Sequence, residues 1–296
     1  MLTESAWRHE YAHVNNIRMH YVTAGEGPLM LMLHGFPEFW YSWRHQIDVM
    51  AERFKVVAPD MRGYNQTEKP VGVDNYQLSS LMDDVAGLIR ALGFENAVIV
   101  AHDWGGGVAW SFAAHYSHMV RRLIILNCPP PAVLMRHLMN NPVQRRRSYY
   151  MFLFQVPLLP EMAIRAVNYR FIERIFRGWA IDKSSFSDHD IKMFKEAASK
   201  PGALTGGINY YRAAFRSFLK SPSSYTRGDV KVICPTLVIW GEEDRALGKE
   251  LINDFHNEVD GELTIKYIPH CSHWVQQEKP ELVNSFILGF LDDSGT

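Results

Sequence analysis

The segment Val98-Ile99-Val100-Ala101-His102-Asp103-Trp104-Gly105-Gly106 places a run of β-branched and small residues directly before a tight turn. The apolar run predicts a buried strand, and the glycines after Asp103 permit the chain to pass sharply from that strand into a helix. The pattern small-x-Asp-x-Gly-Gly is typical of a nucleophile elbow, which exposes its central side chain at the end of a strand. The segment therefore predicts an α/β protein with Asp103 as its nucleophile.

An aspartate at the centre of such an elbow, where serine is usual, changes the predicted chemistry. A carboxylate with an ordinary pKa of about 3.9 is ionised at neutral pH and needs no base to become a nucleophile. It can attack an sp³ carbon that carries a leaving group and form an alkyl-enzyme ester. Taken alone, Asp103 would equally fit an N-cap of the following helix. The motifs that accompany it in the chain favour the nucleophile.

Strand-like and helix-like runs alternate along the first part of the chain, residues 1–128. Strands are predicted at Ile17–Thr23, Leu29–Leu33, Lys55–Ala58, Ala97–Ala101 and Leu123–Leu126, and helices at Trp40–Ala51, Leu78–Leu92 and Gly105–His115. Such alternation is typical of a mostly parallel sheet with crossover helices. We therefore predict that residues 1–128 form the first part of an α/β core.

The alternation stops at Pro129 and resumes about a hundred residues later. Residues 129–228 show helical patterns, aromatic side chains and basic residues, with no convincing strand. The remaining predicted elements are strands at Thr236–Trp240 and Leu263–Ile268 and a helix at Pro280–Leu291. We predict that residues 229–296 complete the core and that residues 129–228 form an inserted helical lid, or cap, since ordinary connections are much shorter.

The composition excludes several classes of partner. The 296 residues include 31 basic and 32 acidic ones, so the chain lacks the excess of positive charge that binds nucleic acid. Its three cysteines, Cys128, Cys234 and Cys271, have no CxxC spacing, which predicts neither a disulfide framework nor a zinc site and fits a reducing compartment. The run Arg145 to Arg147 fits a solvated helix face better than an anionic-ligand site.

No segment of the sequence predicts a membrane anchor. Residues 1–16 contain no apolar core of a signal peptide. The most apolar stretch, Tyr149–Pro160, is interrupted by Gln155 and Pro157 and is shorter than the roughly 18 residues that span a bilayer. We therefore expect a soluble cytoplasmic protein.

Two loops predict an oxyanion hole beside Asp103. His34-Gly35-Phe36-Pro37 follows the predicted strand Leu29–Leu33. In folds with a nucleophile elbow, an amide after this strand joins the amide after the nucleophile to bind a developing negative charge. We assign these two donors to the backbone N–H groups of Phe36 and Trp104.

Asp244 and His273 are the predicted partners of the nucleophile. Each follows a predicted strand, so each should reach the same carboxyl edge of the sheet as Asp103. The chain order nucleophile, acid, histidine is the order found with a nucleophile elbow. His270 competes for the role of the histidine, but His273 lies just ahead of the predicted C-terminal helix and fits the register better. Asp103, Asp244 and His273 are thus the predicted catalytic triad.

These motifs together resemble an epoxide hydrolase of the α/β-hydrolase superfamily, over nearly the whole chain. The resemblance is carried by His34-Gly35-Phe36-Pro37-Glu38-Phe39-Trp40-Tyr41-Ser42-Trp43, Asp60-Met61-Arg62-Gly63-Tyr64 and His102-Asp103-Trp104-Gly105-Gly106. It implies the α/β-hydrolase fold, with a mostly parallel central sheet, flanking helices and a helical lid. Asn65 departs from the family, which often has glycine there, but asparagine tolerates a positive φ better than most residues.

The resemblance also implies two tyrosines in the lid. Members of this group hold the epoxide oxygen with a tyrosine pair, and the register of the signatures Phe-Gln and Asn-x-Tyr-Arg assigns these roles to Tyr150 and Tyr211. The neighbouring Tyr149 and Tyr210 are the alternatives, since a tyrosine in a helical lid often serves packing alone.

The implied reaction is the hydrolysis of an epoxide to a vicinal diol, as in soluble epoxide hydrolases. The tyrosine pair would hold the oxirane oxygen during attack by Asp103, and His273, oriented by Asp244, would activate water against the resulting ester. We expect no metal, no organic cofactor, a small apolar epoxide and water as ligands, and a monomer or a homodimer. The predicted pocket lining is His34, Phe36, Trp104, Phe152 and Phe154.

Two other functions stay open at this point. Haloalkane and haloacid dehalogenases resemble this chain in their Asp-His-Asp triad, and Trp104 matches the halide-binding tryptophan of the haloalkane enzymes. Phe36, however, stands where these enzymes usually carry asparagine, and the haloacid branch prefers arginine in place of Trp104. A non-catalytic small-molecule receptor that keeps the same fold is the third interpretation, because fold alone does not fix function.

Overall fold

An eight-stranded sheet organises the molecule. The computed structural model describes residues 7–222 and 230–292. The strands are β1 (Arg8–Val14), β2 (Ile17–Ala24), β3 (Leu29–Leu33), β4 (Lys55–Pro59), β5 (Ala97–His102), β6 (Val120–Leu126), β7 (Thr236–Gly241) and β8 (Leu263–Ile268). Their order across the sheet is β1-β2-β4-β3-β5-β6-β7-β8. β2 is antiparallel to β1 and β4, and all other neighbours are parallel, which confirms the predicted mostly parallel sheet.

The strand β1 is absent from the sequence prediction. It pairs with β2 along its whole length, from Arg8 opposite Thr23 to Val14 opposite Ile17. Most of its side chains are exposed or half-buried, because it forms the edge of the sheet, and its apolar alternation is correspondingly weak. Two asparagines with positive φ, at positions 15 and 16, form the tight turn that joins the two strands.

Helices cover both faces of the sheet and form a layer above its carboxyl edge. They are α1 (Arg44–Ala51), α2 (Leu78–Ala91), α3 (Trp104–His115), α4 (Pro131–Asn140), α5 (Pro142–Arg147), α6 (Tyr149–Leu153), α7 (Leu159–Trp179), α8 (Asp188–Ser199), α9 (Ala203–Lys220), α10 (Val275–Glu278) and α11 (Pro280–Asp292). Short 3-10 helices occur at Trp40–Trp43, Val73–Tyr76, Ser117–Met119, Lys183–Ser185 and Lys249–Asn257. The helix predicted at Trp40–Ala51 is thus a 3-10 turn followed by α1.

Residues 129–222, between β6 and β7, contain helices and no strand. We call residues 131–220, with helices α4 to α9, the helical insertion. Helix α7 is kinked at residues 166–169, where three consecutive residues have a positive φ. The predicted end of the lid at residue 228 lies outside the described residues. No helix in the described ranges is long and apolar enough to cross a membrane.

Helix α3 follows β5 directly and lies in the middle of the core. Its residues from Gly105 to Ala113 are all buried, so it packs against the sheet and its neighbours on nearly every side. The start of the helix comes so close to β3 that a Cβ at Gly105 would lie 2.2 Å from the carbonyl oxygen of Leu33. Glycine at this position is therefore what allows the strand-to-helix turn to pack against the sheet.

This close approach predicts a large difference between two glycines of α3. Gly105→Ala would force a Cβ into the backbone of β3, and we expect the free energy of unfolding to fall by about 1–3 kcal/mol or more. At Gly107 an added Cβ meets no atom within 4 Å, so Gly107→Ala should be neutral or stabilising by up to about 1 kcal/mol. Urea unfolding followed by tryptophan fluorescence measures both variants. Equal effects of the two substitutions would contradict the packing argument.

Candidate active site

Asp103 occupies the turn between β5 and α3 in a strained backbone conformation. Its φ of 48° and ψ of −122° are unusual for a residue with a side chain, and such strain is typical of functional turns. Its carboxylate does not cap α3. Instead, Oδ1 accepts a hydrogen bond of 2.8 Å from the backbone N–H of Phe36. Asp103 therefore occupies the N-cap position of α3, but its side chain does not make the capping hydrogen bond of the alternative interpretation.

The structure brings the three predicted triad residues together. His273 Nδ1 lies 2.7 Å from Asp244 Oδ2, and His273 Nε2 lies 3.5 Å from Asp103 Oδ2. All three side chains follow the carboxyl ends of parallel strands, Asp103 after β5, Asp244 after β7 and His273 after β8. His270 is not part of this cluster, because its side chain is 86% exposed and lies 3.1 Å from Glu243.

The carboxylate of Asp244 is held in place from three directions. Its Oδ1 accepts hydrogen bonds from the backbone N–H groups of Ala246 and Leu247, and its Oδ2 accepts one from the side-chain amide of Asn127. Asn127 is anchored in turn, because its Oδ1 accepts a hydrogen bond from the N–H of Gly241. Asn127 is absent from the sequence prediction, although its position directly after β6 is the signal that could have indicated it.

The electrostatics of the cluster favour a protonated His273. Burial alone would lower the pKa of this imidazole, but the negative charges of Asp244 and Asp103 and their hydrogen bonds outweigh burial and raise the pKa to about 10. The same contact with His273 holds the pKa of the buried Asp244 carboxyl below its ordinary value, against the opposite effect of burial. The two carboxyl groups thus stabilise the protonated form of His273.

The raised pKa of His273 predicts a pH-dependent stability. A pKa that rises on folding from 6.5 to about 10 adds stability that is complete below pH 6.5 and is lost as the pH rises towards 10. We expect the difference in free energy of unfolding between the wild type and His273→Gln to be largest near pH 6.5 and to shrink as the pH rises towards 10. Urea unfolding at several pH values measures it, with His270→Gln as the exposed control. A difference in free energy of unfolding that does not change with pH would contradict the raised pKa of His273.

A buried pair behind the triad is a second feature that the sequence analysis does not identify. His102 Nδ1 lies 2.7 Å from Glu38 Oε2, and His102 Nε2 lies 2.9 Å from the backbone oxygen of His273. Burial would raise the pKa of Glu38, but the charge and hydrogen bond of His102 lower it to about 2. The pair thus ties the loop of β3 to the backbone of His273. Its signal in the sequence is a glutamate within an otherwise apolar loop.

One of the two predicted oxyanion donors, the N–H of Phe36, contacts the carboxylate of Asp103. The N–H of Phe36 already points at Asp103 Oδ1, as described above, and Trp104 is the first residue of α3, so its N–H has no acceptor within the helix. The loop of β3 packs tightly here, since a Cβ at Gly35 would lie 2.3 Å from Asp103 Cβ. The arrangement can therefore receive a negative oxygen on the carbonyl carbon of Asp103.

Tyr150 and Tyr211 extend from the helical insertion towards Asp103. Their ring centroids are 6.0 Å apart, and the rings are nearly perpendicular. Burial, reinforced by the negative charge of Asp103, raises the pKa of both hydroxyls well above the ordinary value. Both hydroxyls are therefore protonated near neutral pH and can donate hydrogen bonds.

The neighbouring tyrosines have other surroundings. Tyr149 is 60% exposed, and the buried hydroxyl of Tyr210 donates a hydrogen bond of 2.8 Å to the backbone oxygen of Arg62. Tyr210 therefore ties α9 to the core. Of the four tyrosines in these two segments, the structure gives Tyr150 and Tyr211 the common position beside Asp103.

Two cavities reach Asp103 and the tyrosine pair from different sides. The smaller is lined almost entirely by apolar groups, among them Trp104 and Cys128. The larger is lined by Phe36, Phe154 and His273, among others. Because both cavities share Asp103, Tyr150 and Tyr211, these three side chains stand where a bound ligand meets reactive groups.

Comparison with known proteins places this geometry in a family. Residues 28–280 match the model of the alpha/beta hydrolase fold family. The chain is 41% identical to epoxide hydrolase 1 of Caenorhabditis elegans, over 97% of this chain and 70% of that protein, and 38% identical to epoxide hydrolase 3 of Mus musculus, over 94% and 75%. The chain belongs to the epoxide hydrolase family. The expected resemblance and the α/β-hydrolase fold are thereby confirmed.

A solved structure of the family shares the same architecture. A crystal structure of the Bacillus megaterium epoxide hydrolase, in complex with an inhibitor, superimposes with a TM-score of 0.88 at 31% identity. The superposition covers 96% of this chain and 100% of that one. The fold of this epoxide hydrolase family member therefore matches a relative along nearly its full length.

Two residues predicted to line the pocket of this family member lie elsewhere. His34 is fully buried, and its Nε2 accepts a hydrogen bond from the N–H of Met61, so it fixes the loop of β3 rather than facing a cavity. Phe152 is 45% exposed and packs against Phe215. It is two residues from Tyr150 on α6, so its side chain leaves the opposite side of the helix. Phe36, Phe154 and Trp104 do line the cavities.

In the described ranges, no group of three or more histidine, cysteine, aspartate or glutamate side chains has an arrangement that could hold a metal ion.

Proposed function

We propose that this protein hydrolyses epoxides to vicinal diols through an ester on Asp103. One observation carries the proposal. A carboxylate and two protonated tyrosine hydroxyls, Tyr150 and Tyr211, face the same pair of apolar cavities. This combination suits an oxirane, whose carbon is attacked while its oxygen needs proton donors. The names of the relatives support the same activity.

Ring opening is the first proposed step. Asp103 attacks one ring carbon, a C–O bond of the carboxylate forms, and the C–O bond of the ring on the opposite side of that carbon breaks. Tyr150 and Tyr211 donate hydrogen bonds to the ring oxygen, and one of them transfers its proton as the alkoxide develops. The indole of Trp104 packs edge-on against the ring of Tyr211, with 4.9 Å between the ring centroids, and so helps to hold this tyrosine beside Asp103.

Ester hydrolysis is the second proposed step. Esterification removes the negative charge of Asp103, and this charge is one of the causes of the raised pKa of His273. The imidazolium therefore becomes a stronger acid once the ester exists, and its proton passes through water to the tyrosinate that ring opening has left. This transfer restores the tyrosine and leaves His273 as a neutral base. His273, oriented by Asp244, then takes a proton from water, which attacks the ester carbonyl. The amides of Phe36 and Trp104 stabilise the oxyanion, the ester C–O bond breaks as the oxyanion collapses, and His273 returns a proton to the oxygen of the departing diol.

Isotope labelling tests this mechanism directly. In a single turnover in ¹⁸O-water, with enzyme in excess over an aromatic epoxide, we expect the label on the Asp103 carboxylate and not in the diol. The reason is that the water attacks the ester carbonyl, so the diol carries away an oxygen of Asp103. Mass spectrometry of the peptide that contains Asp103 and of the diol measures both. Label in the first diol would contradict the ester intermediate.

Turnover and binding measurements with other substrates separate the rival functions. A 1-haloalkane or a haloacetate that is turned over while the epoxide is not would identify a dehalogenase. Binding without turnover of any of these compounds would identify a receptor. The apolar ring of Phe36 at the larger cavity offers a halide no hydrogen-bond donor, and we therefore rank the epoxide first.

Further properties follow from the proposed reaction. Its steps use side chains, backbone amides and water, so we propose no metal or organic cofactor. We propose that the helical insertion acts as the lid, because it supplies both tyrosines and much of the lining of both cavities.

Cys128, Cys234 and Cys271 are all unpaired, which supports the reducing cytoplasm as the compartment. A monomer or a homodimer remains the expected assembly.

A further inference from the structure

An exposed apolar surface lies on the helical insertion, where α6 leads into α7. We define it as the apolar patch, formed by Phe152, Leu153, Leu158, Leu159, Met162 and Val167. Each of these side chains is exposed, and Leu158 and Val167 are 71% and 74% exposed. Single exposed apolar residues are common, but a contiguous group within one short stretch is typical of an interaction surface. The patch includes part of the most apolar stretch of the sequence, which the proposed reaction does not explain.

The stretch of chain that carries the apolar patch is rich in arginine. Between positions 136 and 177 the chain has eight arginines, two glutamates, and neither lysine nor aspartate. Arg146, Arg165 and Arg174 are exposed, and none of them forms a salt bridge with another described residue. The helical insertion therefore presents uncompensated positive charge beside its apolar surface.

Neither glutamate of this stretch pairs with Arg146, Arg165 or Arg174. Glu161 is buried and binds Arg212, with 2.8 Å between the charged groups. Glu173 forms salt bridges with Lys195 at 2.9 Å and with Arg177 at 3.4 Å. Both carboxylates are thus compensated by cations of their own, and the charge around the patch stays positive.

The larger cavity opens within this surface. Leu153 and Leu159 belong to the apolar patch and also line the cavity that leads to Asp103, and the exposed Arg174 lines it as well. A ligand that enters here passes between the apolar patch and a positive charge. The route to the reactive carboxylate therefore starts at the interaction surface itself.

We propose that this face of the helical insertion docks on a lipid membrane with anionic headgroups. The apolar patch enters the boundary of headgroups and acyl chains, and Arg146, Arg165 and Arg174 contact the phosphates. An apolar epoxide dissolved in the bilayer then reaches the larger cavity without crossing water, a step that rests on the proposed function. A second copy of the chain fits this face less well, because a symmetric pairing would bring the two sets of arginines together.

Vesicle binding by the full chain tests the docking. We expect the protein to co-sediment with vesicles of phosphatidylcholine and phosphatidylglycerol and much less with phosphatidylcholine alone. Arg165→Glu should weaken binding to the mixed vesicles at least about fivefold, since each arginine charge near an anionic surface contributes about this factor. The double variant Leu158→Asn, Met162→Gln should weaken it at least about tenfold. Asparagine also suits the positive φ at position 158.

Matched controls lie at the opposite end of the sheet. Ile233 is 61% exposed and precedes β7, and the exposed Arg121 lies at the start of β6, so both are at the amino edge, away from the helical insertion. Ile233→Asn and Arg121→Glu make the same kinds of change, and vesicle binding should remain at the wild-type level in both. If these controls lose binding as strongly as the patch variants, the docking face is wrong.

Turnover measurements separate docking from the proposed reaction. With a water-soluble epoxide, the variant Leu158→Asn, Met162→Gln should keep the wild-type rate, whereas with an epoxide dissolved in mixed vesicles its rate should fall in parallel with binding. Vesicle binding without turnover of either epoxide would reject the proposed function and keep the docking. The docking would be overturned if the wild type failed to bind vesicles or bound both kinds of vesicle equally. It would also be overturned if sedimentation showed a dimer that depends on the patch and does not bind vesicles.

Discussion

His273→Gln is expected to stop the reaction after the ester on Asp103 has formed. Glutamine keeps a polar side chain beside Asp244 but cannot take a proton from water, so the second step loses its base. We expect kcat to fall roughly 10²–10⁴-fold or more. Intact-protein mass spectrometry after incubation with an aromatic epoxide should show a gain equal to the whole mass of the epoxide, because ring opening releases no leaving group.

The matched controls for this experiment are present in the same chain. His270→Gln removes an exposed histidine from the same loop and should leave turnover unchanged. Asp103→Asn, combined with His273→Gln, should abolish the mass gain. A 1-haloalkane could instead leave an alkyl group without its halogen on the protein while the epoxide leaves no adduct. That outcome would identify the protein as a dehalogenase. No adduct from a folded protein would refute Asp103 as the nucleophile towards these substrates.

Removal of both lid hydroxyls has the second large expected effect. Tyr150→Phe and Tyr211→Phe each take one proton donor from the ring oxygen, and we expect each to slow ring opening roughly 10²–10³-fold. The double variant should be slower than either single variant. Formation of the ester in single turnover, measured in the His273→Gln background, isolates this step from hydrolysis.

The neighbouring tyrosines provide the comparison. Tyr149→Phe changes a hydroxyl on an exposed side chain and should leave the rate of ester formation unchanged. Tyr210→Phe removes the hydrogen bond to the backbone of Arg62, so it should lower the free energy of unfolding by about 1 kcal/mol without slowing ester formation. If Tyr149 or Tyr210 carried the effect instead, the register of the tyrosine pair would be wrong.

Much of the core could be predicted because its signals are local. The buried strands β3, β5 and β7 appear in the sequence as short apolar runs, and a parallel arrangement places their carboxyl ends at one edge. The position of Asp244 after β7, and of His273 after the half-buried edge strand β8, therefore sufficed to predict that both lie near Asp103. The weakly amphipathic edge strand β1 lacks this signal, and the sequence analysis does not identify it.

The side chains that face the cavities from the helical insertion were harder to predict, because the direction of a side chain matters there more than its residue type. Tyr150 and Phe152 are both aromatic and lie in one short helix, yet only Tyr150 faces the cavities. His34 likewise precedes Phe36 in the loop of β3, but its side chain turns into the core and accepts a hydrogen bond from the N–H of Met61. Tertiary packing decides these directions, and a pattern along the chain does not contain them.

The triad and the tyrosine pair are on separate stretches of chain. Asp103, Asp244 and His273 stand on loops of one rigid sheet, whereas Tyr150 and Tyr211 belong to the segment inserted between β6 and β7. On the proposed mechanism, we therefore expect substitutions in that segment to change substrate choice and the rate of ester formation while the rate of ester hydrolysis stays constant. In laboratory evolution, residues of the helical insertion can thus be varied to change selectivity without changing Asp244 and His273.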